Sequence, residues 1–211
     1  MKIYSFDTLP STQRWLEEQI SKKRVDPPCA VIADMQTEGV GSRENRWIGE
    51  RGNFFASILL SEDMLPEDLP IGATSIYFAF LMKETVKKMG SEAWLKWPND
   101  LYLQERKIGG CITAKKGKNV IVGIGINIAS APRDFGVLDV KTEPMELLET
   151  FVRNLKILPS WKQIFSNYSL EFEKSKNYCT HDGNETLKMS DAVLQSDGSL
   201  MIGERRVVSL R

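Results

Sequence analysis

The sequence predicts an α+β fold in which helices accompany a β-sheet, followed by a small all-β segment at the C-terminus. Apolar runs typical of buried strands occur at Cys29–Ala33, Phe54–Leu60 and Val120–Ile128. Ile71–Met89 has the length and apolar content of a helix, and it ends in two lysines and a glycine. From about His181 the sequence changes to short apolar stretches joined by Asp-Gly and Ser-Asp turns. These observations predict one main domain with a small β appendage.

Length and composition set limits on function. The chain has 211 residues, which suffices for one full domain at 1–175 and a small one at 176–211. The formal net charge is +0, so no overall basic field favours nucleic acid. Three cysteines without CxxC spacing favour buried thiols in a reducing compartment. Neither a signal peptide nor an apolar run near the ~20 residues of a membrane span is present, so we expect a cytoplasmic protein without membrane contact.

The first part of the chain predicts a strand, a capped helix and a second strand. Lys2–Phe6 alternates weakly, as a short strand does, and a turn follows it. Ser11 or Thr12 is a natural N-cap for the helical pattern Gln13–Ile20. The hydroxyl groups there either cap the helix alone or contribute to a polar pocket for an anion or a ureido-type group.

The remaining elements follow from turns and periodicity. Leu101–Leu103 and Lys107–Thr113 predict a hairpin, after a strand that Pro98 ends. Met145–Leu158 and Trp161–Phe172 predict two helices. Four short strands are predicted in the C-terminal segment, at Thr186–Met189, Ala192–Leu194, Leu200–Ile202 and Arg205–Leu210.

Two polar stretches are candidates for a functional site. KWPND, at 96–100, is followed within one hairpin's length by Lys107 and the pair Gly109-Gly110. Lysine, asparagine and aspartate are rarely buried without partners, so this stretch is either a binding site or a loop whose Trp97 fills the core. The segment 36–47 combines glycines and arginines without apolar periodicity, which suits either an anion-binding loop or an ordinary exposed loop.

Several chemistries are disfavoured. The single histidine, His181, is predicted to lie in a turn near the C-terminus, which argues against Ser-His-Asp catalysis and histidine metal sites. No GxxxxGK[ST] is present, and GIGIN at 123–127 lacks the third glycine of a dinucleotide fingerprint. The glycines in GIGIN otherwise indicate tight sheet packing or a bulge.

The ordered set STQ, QTEGVGSRENRW, GNFFAS, KWPNDLYLQERKIGG and GIGIN resembles the catalytic core of biotin–protein ligases, from about residue 7 to residue 128. The resemblance implies a mixed β-sheet with helices packed on one face, related to class II synthetases, and a small C-terminal SH3-like domain. It also implies activation of biotin with ATP to biotinyl-5′-AMP and transfer of biotin to a lysine of a biotin carboxyl carrier protein. Its cofactors would be ATP and Mg²⁺, with biotin as substrate.

The resemblance assigns roles by position. Lys107 and Arg43 are implied as catalytic residues, and Asp100 as a Mg²⁺ ligand. The residues implied to bind biotin are Ser11, Thr12, Gln13, Gln36, Gly39, Val40, Gly41, Ser42, Lys107, Gly109 and Gly110. Those implied to bind ATP or the adenylate are Arg43, Arg46, Trp47, Asn99, Asp100 and Asn127.

The sequence departs from the family pattern in its loop. The family loop often reads GRGRxGRxW, whereas this chain has GVGSRENRW at 39–47, so Arg43 stands one position along from the principal arginine. Thr113-Ala114 also occupies a place where a glutamate is common. No basic recognition helix precedes the core, so we expect a ligase that does not bind DNA, as a monomer or homodimer.

Two other functions remain open at the level of sequence. A lipoate- or octanoyl-transferring relative would share the fold and the lysine. A non-catalytic sensor of biotin or adenylate would fit the altered loop.

Overall fold

The largest element is an eight-stranded mixed sheet. The computed structural model describes residues 1–41, 46–183 and 185–209, with the backbone alone for Arg46 and Ile48. The strands are β1 (Lys2–Leu9), β2 (Cys29–Val40), β3 (Arg46–Gly49), β4 (Phe54–Ser61), β5 (Trp94–Lys96), β6 (Asp100–Leu103), β7 (Arg106–Lys116) and β8 (Asn119–Ile126). Their order is β1-β2-β4-β8-β7-β6-β5, with β3 also paired to β2. Only β1 and β2 pair in parallel among the described strands, which confirms the predicted mixed sheet.

Helices lie on both faces of this sheet. The helices of the described residues are α1 (Thr12–Ser21), α2 (Thr74–Lys88), α3 (Pro144–Asn154) and α4 (Trp161–Glu171). Helices α2, α3 and α4 share one apolar core with alternate residues of β2 such as Ala30 and Ile32. Leu16 of α1 packs instead with Val31 and Leu59, on the opposite face. The expectation that the helices pack on one face of the sheet therefore holds for α2, α3 and α4 but not for α1. Successive side chains of β2 point to opposite faces and are apolar on both, so each face can carry a helix.

The C-terminal segment packs onto the helical face. Its strands form two small antiparallel sheets: β9 (Cys179–Asp182) with β10 (Glu185–Lys188), and β11 (Val193–Leu194) with β12 (Leu200–Ile202) and β13 (Arg205–Val207). Leu200 and Val207 belong to the same core as α2. The indole N–H groups of Trp97 and Trp161 donate to the carbonyls of Gly198, at 2.9 Å, and Ser196, at 2.7 Å. The boundary at residue 176 stays a prediction.

Three sequence expectations need correction. His181 lies in β9 and not in a turn. Cys179 is exposed, whereas Cys29 and Cys111 are buried as expected. The segment from residue 36 to Val40 is not a loop but the end of β2, where it pairs with β3. Within the described part of the chain, every helix is too short or too polar to span a membrane.

Candidate functional site

A cavity of about 320 Å³ opens on the face of the sheet that carries α1. This volume lies in the range of pockets that enclose small molecules. Its walls come from α1 and the strands β2, β3, β4, β6, β7 and β8. The lining residues are Ser11, Thr12, Gln13, Gln36, Val40, Gly41, Trp47, Ser57, Asn99, Asp100, Lys107, Gly110, Cys111, Ile112, Gly123, Ile124, Gly125 and Phe135.

The start of α1 supplies hydroxyl and amide groups to one end of the cavity. Ser11 caps the helix, since its Oγ accepts from the backbone N–H of Arg14. The backbone N–H of Thr12 donates to Oε1 of Gln36 at 2.8 Å. The Thr12 hydroxyl bonds both Gln36 Oε1, at 3.1 Å, and the Ser57 hydroxyl, at 2.9 Å. Helix start, β2 and β4 are thereby joined into one polar wall.

Gln13 adds a side-chain carbonyl oxygen to this polar end of the cavity. Its Oε1 is buried and has no hydrogen-bond partner among the residues that the structure describes. A Cβ atom on Gly123 would lie 2.7 Å from that oxygen and 3.5 Å from Ser57 Oγ. The glycine in β8 therefore makes room for the polar side chains, and the unpaired oxygen is available to a donor on a ligand.

Trp47 also lines the cavity, and its ring lies on the backbone of Gly125. A Cβ on Gly125 would meet Trp47 Cε2 at 2.9 Å, and one on Gly39 would meet the Trp47 carbonyl oxygen at 2.7 Å. The indole Nε1 is buried without a hydrogen-bond partner in the described part of the chain. A larger residue at position 125 would displace the indole ring, and one at position 39 would meet the backbone of β3.

The end of β5 and the β6–β7 hairpin place a charge network at the cavity. Lys107 Nζ lies 2.6 Å from Oδ1 of Asp100, and Lys96 Nζ lies 3.9 Å from Oδ2 of the same carboxylate. Lys107 also faces the Trp47 ring, at 5.9 Å from its centroid. Two ammonium groups on one carboxylate leave a surplus positive charge beside the cavity, which favours an anion there.

Burial changes the titration of two neighbouring groups. It raises the pKa of the Cys111 thiol far above its usual range, so this thiol is neutral. Burial, and then the charge of Asp100, raise the pKa of Tyr102 to about 12. Neither group is therefore a base or a nucleophile near neutral pH.

The cavity brings together most of the residues predicted for it. The predicted residues that line it are Ser11, Thr12, Gln13, Gln36, Val40, Gly41, Trp47, Asn99, Asp100, Lys107 and Gly110. Asn99 is almost fully buried and donates to the Cys111 carbonyl, so its amide also fixes the hairpin.

Other predicted residues lie behind the cavity or outside the described residues. Gly39 and Gly109 support its walls without lining it, the latter packed against the Gly125 carbonyl. Asn127 does not line it either; its amide donates to the Gly136 carbonyl at 3.1 Å. Ser42 and Arg43 are outside the described residues, as is the side chain of Arg46.

Seven lining residues were missed from the sequence: Ser57, Cys111, Ile112, Gly123, Ile124, Gly125 and Phe135. Ser57 had a usable signal, because a serine in the middle of an apolar strand needs a polar partner. The sequence indicates tight sheet packing or a bulge at Gly123 and Gly125, and the structure adds that both pack against side chains of the site. Phe135 follows irregular structure and carried no signal.

The residues present do not by themselves form a Mg²⁺ site. Mg²⁺ needs a near-octahedral set of oxygen ligands. Asp100 is engaged by two lysines. The described residues contain no group of three or more His, Cys, Asp or Glu side chains that could hold a metal.

Comparison with known proteins gives a consistent result. The sequence model of the Biotin/lipoate A/B protein ligase family matches residues 5–129. The bifunctional ligase/repressor BirA of Escherichia coli is 33% identical over 129 residues, which cover 57% of this chain and 39% of that protein. The chain thus spans about two fifths of the length of the curated relatives it matches first.

Solved structures match over nearly the whole chain. The biotin acetyl coenzyme A carboxylase synthetase from Helicobacter pylori, with bound biotinylated ATP, has a TM-score of 0.93 at 35% identity. The match covers 98% of this chain and 99% of that one. The biotin protein ligase from Aquifex aeolicus, in complex with biotin and ATP, has a TM-score of 0.77 at 23% identity, over 100% of this chain and 96% of that one. The latter likeness concerns the fold alone, and together the two confirm the predicted fold class.

Proposed function

This chain belongs to the Biotin/lipoate A/B protein ligase family, and from that premise we propose that it is an ATP-dependent biotin–protein ligase. It joins biotin and ATP to form biotinyl-5′-AMP and then transfers biotin to a lysine of a biotin carboxyl carrier protein. The observation that carries the proposal is one cavity that is lined by amide and hydroxyl groups at one end and also by Lys107 and Trp47.

The polar end of the cavity favours biotin over lipoate. A ureido ring has N–H groups that can donate to the unpaired Gln13 Oε1 and a carbonyl that can accept from Gln36 Nε2 or Ser57. The dithiolane ring of lipoate has no N–H donor, so it would leave the buried Gln13 Oε1 unpaired. An unpaired buried polar group costs about 1–3 kcal/mol.

Lys107 is proposed to stabilise charge in the first reaction. The carboxylate oxygen of biotin attacks the α-phosphorus of ATP, and the bond to the β,γ-pyrophosphate breaks. Negative charge grows on the α-phosphate oxygens, and the ammonium group of Lys107, which lines the cavity, neutralises it. Asp100, 2.6 Å away, holds that ammonium group in place before ATP binds.

In the second reaction the amine of the carrier lysine attacks the acyl carbon of biotinyl-5′-AMP. The acyl–phosphate bond breaks, AMP leaves, and the amine loses a proton. No covalent intermediate with the enzyme is required. Trp47 is proposed to bind the adenine; Gly125 leaves room for its ring, whose centroid lies 5.9 Å from Lys107 Nζ.

Several assignments remain predictions. They include the roles of Ser42, Arg43, Arg46 and Asn127, the domain boundary, the absence of DNA binding, the oligomeric state and the cytoplasmic location. Mg²⁺ binding by Asp100 also remains a prediction, and its two lysine partners weigh against it.

The decisive experiment incubates the protein with biotin, MgATP and a biotin carboxyl carrier domain and measures the mass of the carrier. We expect an increase by one biotin minus water that requires both biotin and ATP. Parallel titrations with biotin and lipoate by calorimetry test the choice of acid. A folded protein that binds biotin but never labels the carrier would support a sensor and would contradict the ligase.

A further inference from the structure

The outer edge of β5 is covered by side chains instead of a strand. Strand β5 is at the end of the sheet, and Trp94, Leu95 and Lys96 pair with β6 on one side only. On the other side, the backbone N–H of Leu95 donates to Oε1 of Glu171. The backbone N–H of Trp97 donates to Oγ of Ser175 at 3.0 Å. Each outward N–H of this short segment therefore has an acceptor.

The spacing of the two acceptors matches the spacing of the two donors. Leu95 and Trp97 are two residues apart on an extended chain, which is about 6.6 Å. Glu171 ends α4, and Ser175 lies four residues later in the 3₁₀ turn Phe172–Asn177. Four residues rise about 6 Å in an α-helix and about 8 Å in a 3₁₀-helix. The end of α4 and the turn after it thus place two hydrogen-bond acceptors at about the spacing that a neighbouring strand would provide.

A buried lysine fixes one of these acceptors. Lys83 of α2 is 2% exposed, and its Nζ lies 2.7 Å from Oε2 of Glu171 and 2.7 Å from Oε1 of Glu84. Its ammonium group also faces the Phe80 ring, at 4.0 Å from the centroid. Both carboxylate oxygens of Glu171 are therefore used, one for Lys83 and one for Leu95.

The same strand carries the charge network of the cavity. Leu95 and Trp97 point into the apolar core, whereas Lys96 points to the other face, toward Asp100. Asp100 in turn holds Lys107. A shift of β5 along its axis would move Lys96 and the start of β6 together and change the distance from Asp100 to Lys107.

We propose that Glu171 and Ser175 are positioning residues for the first reaction, because they hold β5 in register and thereby set the place of Lys107. This inference rests on the proposed function. Neither residue lines the cavity, so an effect on the first reaction would have to reach it through β5 and the adjoining Trp97. The biotin end of the cavity, built on Thr12, Gln36 and Ser57, does not depend on them.

The test measures biotin-dependent exchange of pyrophosphate into ATP. Ser175→Ala removes the acceptor of the Trp97 N–H, and we expect the loosened strand to lower kcat about fivefold, which corresponds to about 1 kcal/mol of barrier. KM for biotin should stay within about twofold of wild type, because the biotin end is built on other strands. Ser169→Ala is the matched control, since that hydroxyl lies on the exposed side of α4 and donates to the Ser166 carbonyl of the same helix.

A second pair of variants separates positioning from folding. Glu171→Gln keeps an acceptor for the Leu95 N–H, whereas Glu171→Leu removes it, so we expect the first to retain more of kcat than the second. All rates are measured on protein whose circular dichroism matches wild type, at a temperature well below its Tm. This pair keeps the inference testable if Ser175→Ala does not fold.

Either of two results would overturn the inference: a folded Glu171→Leu or Ser175→Ala with wild-type kcat, or a loss of kcat matched by an equal loss of biotin binding. Wild-type protein without any exchange would instead contradict the proposed function.

Discussion

Lys107 and Asp100 form an ion pair of 2.6 Å across the β6–β7 hairpin, and both side chains line the cavity. Asp100 is also within 3.9 Å of Lys96, so the carboxylate is shared between two cations. When an anion arrives, Lys107 can turn to it while Asp100 keeps Lys96 as a partner. The pair therefore makes the lysine available without leaving an isolated buried carboxylate.

Replacing Lys107 should remove the main charge stabiliser of the first reaction. We expect Lys107→Ala to lower kcat of pyrophosphate exchange by about 100-fold or more, the usual cost of one lost stabilising group. Lys115→Ala is the control, because Lys115 lies on the same strand and pairs with the exposed Glu62. Near wild-type exchange by a folded Lys107→Ala protein would remove Lys107 from the mechanism.

Gly123 is expected to set the space at the biotin end. In Gly123→Ala the new methyl group would lie 2.7 Å from Gln13 Oε1, so the amide must move into the cavity. Overpacking of this kind costs about 1–3 kcal/mol, and we expect KM for biotin to rise about tenfold with little change in kcat. Gly72→Ala is the control, since a Cβ there meets nothing within 4 Å. An unchanged KM would place the biotin ring elsewhere.

The stability contribution of Asp68 should depend on pH. Its carboxylate accepts from the backbone N–H groups of Lys162 and Trp161 at the start of α4, which lowers its pKa. A lowered pKa in the folded state means that stabilisation is present above the unfolded pKa, near 4, and is lost as pH falls toward the folded value. Asp68→Asn should therefore lower Tm at pH 7, and the difference should shrink below about pH 4.

Glu67→Gln removes the neighbouring charge and serves as the control for Asp68→Asn. A Tm difference that stays constant from pH 7 to pH 3 would contradict a role for the Asp68 charge.

The three cysteines should differ sharply in reactivity. Burial raises the pKa of Cys29 to about 11, with a smaller contribution from Asp26. Cys111 is also buried with a raised pKa, and Cys179 is exposed. Since the thiolate is the nucleophile, we expect a maleimide at pH 7 to modify the native protein once, at Cys179. Mass spectrometry of native and denatured protein checks this, with Cys179→Ser as the control; fast labelling of that variant would contradict it.

The sequence predicted the regular elements well wherever apolar periodicity was strong. The segments predicted at Phe54–Leu60 and Trp161–Phe172 correspond to β4 and α4 within one residue at each end. Apolar strands that are buried on both faces have a clear signature. The helix predicted from Ile71 begins as α2 at Thr74, after a 3₁₀ turn at Ile71–Ala73, because periodicity does not locate the first turn of a helix.

Predictions from the sequence were wrong where the structure depends on which strands and helices pack together and not on local composition. The polar end of β2 extends to Val40 because β3 provides hydrogen bonds to it, and a polar segment carries no apolar alternation that would indicate this. Likewise, α1 lies on the opposite face from the other helices because both faces of β2 are apolar. Of the site, the motif residues were predictable through the resemblance, whereas Ser57 and Phe135 depend on neighbours that only the fold supplies.

The walls of the cavity come from residues that are far apart in the chain, from Ser11 at the start of α1 to Phe135 beyond β8. No contiguous segment of the protein holds more than part of the site. A small molecule that fits it therefore binds the folded chain and has no equivalent target in the unfolded one. A bound ligand should consequently raise the free energy of unfolding, by about 2.7 kcal/mol at a ligand concentration of 100 Kd. The melting temperature should rise with it. A thermal scan with biotin, with ATP and with both would thus report on each half of the cavity without any catalytic turnover.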